Sequence, residues 1–241
     1  MTLGRRVWFL MTLPSPVLLL WDIDGTLMVS GSAGRRALSA ALQSTFGIDD
    51  PLDDIDYGGR TDRWILRQIL SKFALPHDEA TAERLFANYF RFLPAALSPT
   101  TTYALPGVQA LIREAHARSQ LTQGLLTGNM PQSAEIKMRY NGLWDYFAFG
   151  AFGDLHERRN DLGPLALQRA TQRSGIPFQP SQTWIIGDTP HDIECGRALG
   201  AKTLAVATGS HDIDSLRCHS PTAALGTLAD TAAFWRIIDG Q

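Results

Sequence analysis

The sequence contains little cysteine, no long apolar run and no cluster of basic residues. Its two cysteines, Cys195 and Cys218, are too few for a disulfide framework, and we expect both to be reduced in a cytoplasmic protein. No apolar stretch approaches the roughly 20 residues of a membrane-spanning helix, so we expect no membrane association. The 22 basic and 24 acidic residues give a net charge of -2 without a basic run, which gives no support for nucleic-acid binding.

The sequence does contain an apolar run that ends in two acidic residues. Residues 17–21 read as a strand buried on both faces, and Asp22 and Asp24 follow it, separated by Ile23. On an extended backbone these two carboxylates point the same way, and burying them is costly unless a positive charge lies between them. This pattern predicts a divalent cation and an anionic substrate at the end of the strand. The alternative is a strand that exits into solvent, with Asp24-Gly25 as an ordinary turn.

From residue 29 to residue 102 the apolar pattern is helical. Spacing of apolar residues predicts helices over 33–46, from Thr61 or Asp62 to 73, and over 80–97, with Pro94 shortening or kinking the last one. Breaks rich in serine, glycine and threonine flank this block. An inserted helical block next to a candidate active site indicates a cap or lid.

After the helical block, helices and short apolar strands alternate. This pattern predicts an α/β fold, in which a doubly wound, Rossmann-like parallel sheet core carries a small all-helical cap. We expect residues 1–13 to be an N-terminal extension, residues 14–28 and 103–241 to form the core, and residues 29–102 to form the cap. The predicted elements after the cap are helices over 107–117, 132–141, 163–174, 190–199 and 228–238, and strands over 121–127, 146–149, 183–187, 203–207 and 223–225.

Three of the predicted strands end in polar residues suited to phosphate chemistry. The first is followed by Asp22 and Asp24, the second ends in Thr127-Gly128-Asn129, and a later one leads into the segment 187–192 with Asp188 and Asp192. Ligands of doubly wound sheets bind at the carboxyl ends of the strands, so these side chains are expected to converge. Alternatively, Thr127-Gly128 is only a turn, and Asp188 or Asp192 is only a helix cap.

Taken together and in this order, the motifs Asp22-Ile23-Asp24-Gly25-Thr26-Leu27, Thr127-Gly128-Asn129 and Gly187-Asp188-Thr189-Pro190-His191-Asp192 resemble those of the haloacid dehalogenase superfamily. The helical insertion directly after the first motif is similar to the cap of its phosphoglycolate-phosphatase-like members. The resemblance covers nearly the whole chain beyond residue 16.

The resemblance implies a role for each residue. Asp22 is the expected nucleophile, which forms an aspartyl-phosphate, and Asp24 the expected acid and base. Thr127, with Gly128 and Asn129, is expected to bind the phosphoryl group. The expected cofactor is Mg²⁺, held by Asp22, the backbone carbonyl of Asp24 and Asp188, with Asp192 orienting a metal-bound water.

One position departs from the family pattern. The family places a lysine ahead of the helix that follows the third strand, and none of the three lysines of this chain lies there. Counting back from Pro164, Arg159 falls at this position, and its guanidinium keeps the charge. The alternatives are that Arg158 or Lys137 supplies the charge, with Arg158 and Arg159 as a solvated pair.

The predicted function is a Mg²⁺-dependent phosphatase that acts on a small phosphorylated metabolite, with phosphoglycolate as the first candidate, in a monomer or homodimer. Arg60 in the cap is expected to bind a second anionic group of the substrate, or instead to pair locally with Asp56 or Asp62. Rival functions within the fold are a sugar-phosphate mutase and a 2-haloacid dehalogenase. A rival of another class is a noncatalytic phosphate-binding or regulatory protein.

Overall fold

The structure is a computed structural model that describes residues 16–240. Over these residues the strands are β1 (Val17–Trp21), β2 (Met28–Val29), β3 (Tyr103–Ala104), β4 (Leu121–Leu126), β5 (Gly150–Ala151), β6 (Thr183–Gly187), β7 (Lys202–Val206) and β8 (Ala223–Leu225). The helices are α1 (Ala33–Phe46), α2 (Asp62–Lys72), α3 (Glu79–Ala96), α4 (Val108–Ala117), α5 (Pro131–Tyr140), α6 (Leu162–Ser174), α7 (Pro190–Leu199), α8 (Ile213–Cys218) and α9 (Thr231–Asp239).

The core is one parallel sheet of six strands in the order β5-β4-β1-β6-β7-β8. Strand β1 lies in the middle, and the later strands are added first on one side of it and then on the other. This reversal of direction leaves a crevice at the carboxyl end of β1, where ligands of open α/β sheets bind. The predicted α/β fold with a doubly wound parallel sheet is confirmed.

The side chains of β1 alternate between two hydrophobic layers. Leu18 and Leu20 pack on one face with residues of α6 and α7, and Leu19 and Trp21 pack on the other with residues of α4 and α9. All four side chains are fully buried. A strand covered by helices on both faces has no solvated side, which is why its sequence is continuously apolar.

One predicted strand is wrong. Residues 144–146 form a short 3₁₀ helix, and the edge strand is Gly150–Ala151, not 146–149. The aromatic residues that suggested a strand fill the core instead, since Phe147 is buried and Tyr146 and Phe149 pack against hydrophobic clusters. The other bounds differ by a few residues. The last helix begins at Thr231 after its cap Asp230.

Helices α1 to α3 pack around a hydrophobic cluster of their own, which includes Leu42, Ile69, Leu85 and Tyr89. Helix α3 continues through Pro94 and ends two residues later, so the proline lies in its last turn. At the two crossings between this block and the core, β2 and β3 pair as a short antiparallel ribbon. These features support the proposed division into a cap, 29–102, and a core.

Two further predictions concern the N-terminal extension and association with a membrane. The proposed extension over residues 1–13 lies outside them. Within residues 16–240, no helix combines the length and the apolar character needed to cross a membrane.

Candidate active site

The three predicted motifs meet at the carboxyl edge of the sheet. Because β4, β1 and β6 are neighbours, the residues that directly follow them, Thr127, Asp22 and Asp188, come together although they are far apart in sequence. All three side chains are buried. The expected convergence is therefore what the structure shows.

A cluster of three buried carboxylates forms the centre of the site. Oxygen atoms of Asp22, Asp188 and Asp192 all lie within 4.8 Å of one another. Burial raises the pKa of Asp22 to about 6, although the positive charge of Arg159 acts in the opposite direction. Burial and the neighbouring carboxylates of Asp22 and Asp192 raise the pKa of Asp188 well above its ordinary value. Such a cluster holds more negative charge than its protein partners neutralise.

The surroundings of this cluster fit a divalent cation. The donor set is carboxylate oxygen, which Mg²⁺ and similar hard cations prefer. Gly25 and Gly209 flank Asp188, and a β-carbon at either position would overlap with its carboxylate. Thr26 donates a hydrogen bond of 3.0 Å from its hydroxyl to Asp188 and orients it. The three aspartates could therefore bind a metal ion.

Asp192 has two kinds of partner. One of its oxygens accepts hydrogen bonds from the backbone and the hydroxyl of Thr189, which closes a capping box at the first turn of α7. The other oxygen pairs with Arg159. Asp192 therefore caps the helix and also belongs to the carboxylate cluster. That it orients a metal-bound water stays a prediction.

Arg159 is the basic residue closest to Asp22. It lies in a short 3₁₀ helix, 159–161, just before α6, and its side chain is buried. Its Nη2 lies 3.1 Å from Oδ1 of Asp22 and pairs with Asp192. Burial alone would lower the pKa of Arg159, but the charges of Asp192 and Asp22 raise it. Arg158, by contrast, is exposed and pairs with Asp161.

Lys137, the third candidate for the missing lysine, contacts the other aspartate of the first motif. Its Nζ lies 2.6 Å from Oδ2 of Asp24. Asp24 also accepts hydrogen bonds from Ser30 and Asn129, each 2.8 Å long. Burial would raise the pKa of Asp24, but the charge and hydrogen bond of Lys137 and the other donors lower it below its usual value. The two aspartates thus differ in their basic partner.

The second motif joins the site to the cap. The side-chain amide of Asn129 donates a hydrogen bond to the hydroxyl oxygen of Thr127. The Gly128 carbonyl accepts a hydrogen bond of 2.7 Å from the backbone N–H of Asp62. A β-carbon on Gly128 would overlap with the carbonyl oxygen of Arg60, so only glycine allows the cap loop to approach this closely. The carboxylate of Asp62 in turn accepts a hydrogen bond of 2.7 Å from the backbone N–H of Met130, at the start of α5.

Arg60 forms the local pair that the sequence left open as an alternative. Its Nε donates to Oδ2 of Asp56 at 3.0 Å, and its guanidinium lies 4.4 Å from the centre of the Trp64 ring. The side chain nevertheless borders the cavity above the aspartates. Within residues 16–240, Arg60 forms no ion pair with an acidic side chain other than Asp56.

The cavity of the site has a volume of about 220 Å³ and lies between the core and α1 to α3. Its floor carries Asp22, Asp24, Thr127, Asn129, Lys137 and Arg159, and its cap side combines Arg35 and Arg60 with apolar and aromatic side chains. The cap side chains include Leu38, Tyr57, Ile65 and Tyr89. A small anionic ligand fits this combination of charge and size.

Sequence reasoning did not identify Thr26, Ser30 or Gly209 as site residues. Thr26 carried a signal, because it belongs to the first motif. Ser30 was interpreted only as part of a flexible break, and its contact with Asp24 depends on the turn between β1 and β2. Gly209 follows β7, and only the order of strands brings it against Asp188.

Comparison with known proteins gives consistent matches. The family of haloacid dehalogenase-like hydrolases matches residues 19–197. The chain is 31% identical over 215 residues to a phosphoglycolate phosphatase from Synechococcus elongatus, and the alignment covers 88% of this chain and 93% of that protein. It is 29% identical over 198 residues to an N-acetylmuramic acid 6-phosphate phosphatase from Pseudomonas aeruginosa, and the alignment covers 79% of this chain and 81% of that protein.

A solved structure shows the same fold. A haloacid dehalogenase-like hydrolase from Streptococcus pneumoniae superposes with a TM-score of 0.64 at 19% identity, over 92% of this chain and all of the other. The family match spans most of the chain and includes all three motifs. The predicted family and the prediction of an enzyme are confirmed: the chain belongs to the haloacid dehalogenase-like hydrolases.

Proposed function

We propose that this protein is a Mg²⁺-dependent phosphomonoesterase that acts on a small phosphorylated metabolite through an aspartyl-phosphate on Asp22. The proposal rests on one observation: the neighbouring aspartates Asp22 and Asp24 lie in different environments and have different partners. Asp22 lies in the carboxylate cluster beside Arg159, and Asp24 is held apart by Lys137, Asn129 and Ser30. One carboxylate is thus available for attack and the other for proton transfer.

In the first step, a carboxylate oxygen of Asp22 attacks phosphorus while the bond from phosphorus to the leaving alkoxide breaks. Asp24 gives the alkoxide a proton and later takes one from the water that hydrolyses the aspartyl-phosphate. With its lowered pKa, Asp24 is ionised in the substrate-free protein. A phosphate monoester has a second pKa of about 6, so a substrate bound as the monoanion can supply the proton.

The charges of the site support this chemistry. Arg159, beside Asp22, would bind phosphoryl oxygens, and the Thr127 hydroxyl, which borders the cavity, would donate to another of them. Asp22 and Asp188, with the backbone carbonyl of Asp24 and with Asp192 beside them, would hold Mg²⁺. Mg²⁺ when bound supplies positive charge that allows two anions to approach each other.

The size of the cavity supports a small leaving group. A volume of about 220 Å³ must hold both the phosphoryl group and the rest of the ester. The two relatives described above are named for phosphoglycolate and for an amino-sugar phosphate, both small esters. Phosphoglycolate is our first candidate, and binding its carboxylate requires Arg60 to exchange its pair with Asp56.

The test is a panel of phosphate esters, from phosphoglycolate and sugar phosphates to nucleotides, assayed for phosphate release with Mg²⁺ and with a chelator. We expect Mg²⁺-dependent release that is at least tenfold faster from small esters than from nucleotides. Asp22→Asn, which keeps the shape of the side chain, should abolish release and the labelling of the chain by a ³²P-labelled substrate. Absence of release from every ester by folded wild-type protein would overturn the proposal.

A further inference from the structure

Lys137 is a buried lysine to which the proposed mechanism assigns no step of its own. It lies on the inner face of α5, ten residues after Thr127, and only 5% of its surface is exposed. Its Nζ lies 2.6 Å from Oδ2 of Asp24 and 2.7 Å from Oδ1 of Asn129. A lysine is rarely buried unless its charge is paired, so this position calls for a reason beyond packing.

The contact with Asn129 determines how the amide of that residue is oriented. An ammonium group only donates hydrogen bonds, so the atom of Asn129 that faces it must be the carbonyl oxygen. The amide nitrogen then faces the other way, where it donates to Oδ2 of Asp24 at 2.8 Å and to Oγ1 of Thr127 at 2.9 Å. The Asp24 carboxylate, which only accepts hydrogen bonds, favours the same orientation, so loss of the ammonium group removes one of the two contacts that hold the amide.

The orientation of the amide in turn affects the hydroxyl of Thr127. Oγ1 of Thr127 accepts hydrogen bonds from the amide nitrogen and from the backbone N–H of Asn129. With its lone pairs occupied in this way, the hydroxyl must use its hydrogen as a donor elsewhere. The side chain borders the cavity of the site, where a phosphoryl oxygen is the acceptor that the proposed function places there.

We infer that Lys137 is a positioning residue: it holds the Asp24 carboxylate toward the leaving group and, through Asn129, fixes the Thr127 hydroxyl as a donor to phosphate. The inference rests on the proposed function. Each aspartate of the first motif then has its own basic partner, Arg159 for Asp22 and Lys137 for Asp24. Lys137 therefore does not simply take the place of the lysine in the family pattern, because its partner is Asp24 and the partner of Asp22 is Arg159.

The test compares two esters that differ in their need for an acid. An alkyl phosphate has a poor leaving group that must be protonated, whereas p-nitrophenyl phosphate releases a stable phenolate. The quantity compared is kcat/KM, which reports the steps up to departure of the leaving group. For Lys137→Met we expect a loss of about 10²-fold on the alkyl ester, at the lower end of what general acid catalysis contributes, and a loss at least tenfold smaller on p-nitrophenyl phosphate.

Two further variants and a spectroscopic measurement complete the experiment. Lys202→Met, at an exposed lysine of the same chain, is the matched control and should leave both esters unchanged. Lys137→Gln, a smaller polar change, gives the same comparison if Lys137→Met is unstable. The side-chain amide resonances of Asn129 in ¹H–¹⁵N spectra should shift in the position-137 variants and not in Lys202→Met.

Equal losses on the two esters, or no loss, would overturn the positioning role while the proposed function stands. Unchanged Asn129 amide resonances would overturn the step through Asn129. If wild-type protein hydrolyses neither ester nor any other phosphate, the proposed function fails and this inference fails with it.

Discussion

At the scale of single residues, the site depends on charges that are buried in pairs. The Arg159 guanidinium lies between Asp22 and Asp192, and all three side chains are nearly excluded from water. Bringing a lone charge into such a place is costly, and each of these groups is tolerated because the others are present. A change at position 159 therefore affects both the folded state and the site.

Replacement of Arg159 by alanine should reduce turnover far more than replacement of its neighbour. Arg159→Ala leaves two buried carboxylates without their partner, and breaking a buried pair in this way typically costs about 3–5 kcal/mol of stability. We expect phosphate release to fall at least 10²-fold, in line with the loss of a group that stabilises transition-state charge. Arg158→Ala, at the exposed pair with Asp161, is the control and should change little.

Arg159→Lys separates charge from shape. The ammonium group keeps the positive charge but lacks the planar fork of the guanidinium, so we expect partial activity. Steady-state kinetics with thermal unfolding of each variant checks the result. Equal and small effects of Arg159→Ala and Arg158→Ala would remove Arg159 from the proposed site.

At the scale of elements, the approach of the cap loop to the second motif holds the site together. The first turn of α2, directly after the cap loop, contacts the core through two backbone hydrogen bonds. The Asp62 N–H donates to the Gly128 carbonyl in the turn between β4 and α5, and the Arg63 N–H donates to the Gly153 carbonyl just after β5. Asp62 also caps the start of α5. Helix α5 carries Lys137, so the position of the cap loop and that of the proposed positioning residue are linked.

Gly128→Ala should disturb this approach. The added methyl group would overlap with the backbone of Arg60, which has no flexible end that could move aside. We expect kcat/KM to fall at least tenfold and the melting temperature to decrease, since forcing extra volume into a packed site typically costs about 1–3 kcal/mol. Kinetics and thermal unfolding give the measurement.

Gly226→Ala is the matched control for this change. No atom lies within 4 Å of the position that its β-carbon would occupy, and its backbone is not left-handed. We expect activity and melting temperature to stay at wild-type values. If Gly128→Ala behaved like this control, the close approach of loop and motif would not matter for the enzyme.

At the scale of the whole molecule, the carboxylate cluster makes folding stability depend on pH in an unusual direction. The pKa of Asp22 is raised from 3.8 to about 6 in the folded protein. Between these values the folded state keeps a proton that the unfolded chain has released, so the free energy of unfolding decreases as the pH rises. Asp188, whose pKa is also raised, extends the decrease to higher pH.

We expect the metal-free protein to lose stability from about pH 4 through pH 6, measured by urea unfolding across this range. Asp22→Asn removes one of the titrating groups and should reduce the slope. A slope that is the same in wild type and in Asp22→Asn would contradict the assignment. Added Mg²⁺ should raise the melting temperature more at neutral pH than in the acidic range, because the ion binds ionised carboxylates.

The local features of the fold follow from the order of apolar and polar residues. The continuous apolar run of β1 gave a strand buried on both faces, and the alternation after residue 103 gave the parallel sheet, because periodicity follows directly from which faces are covered. The resemblance to the family, and not spacing alone, pointed to Arg159, which falls at the place of the family lysine when counted back from Pro164. The prediction of a strand over 146–149 was wrong, because aromatic residues favour strands and buried loops alike.

The pairing of the buried charges cannot be read from local pattern. Lys137 and Asp24 are 113 positions apart, and nothing local indicates that the ammonium group meets this carboxylate and not Asp22. The same holds for Gly209 against Asp188. For Arg60 the sequence left two local partners open, and the structure shows that the partner is Asp56. Local pattern fixes the type of most elements. Ion pairs and close approaches depend instead on strand order and on how the helices pack, which residues far apart in the sequence determine together.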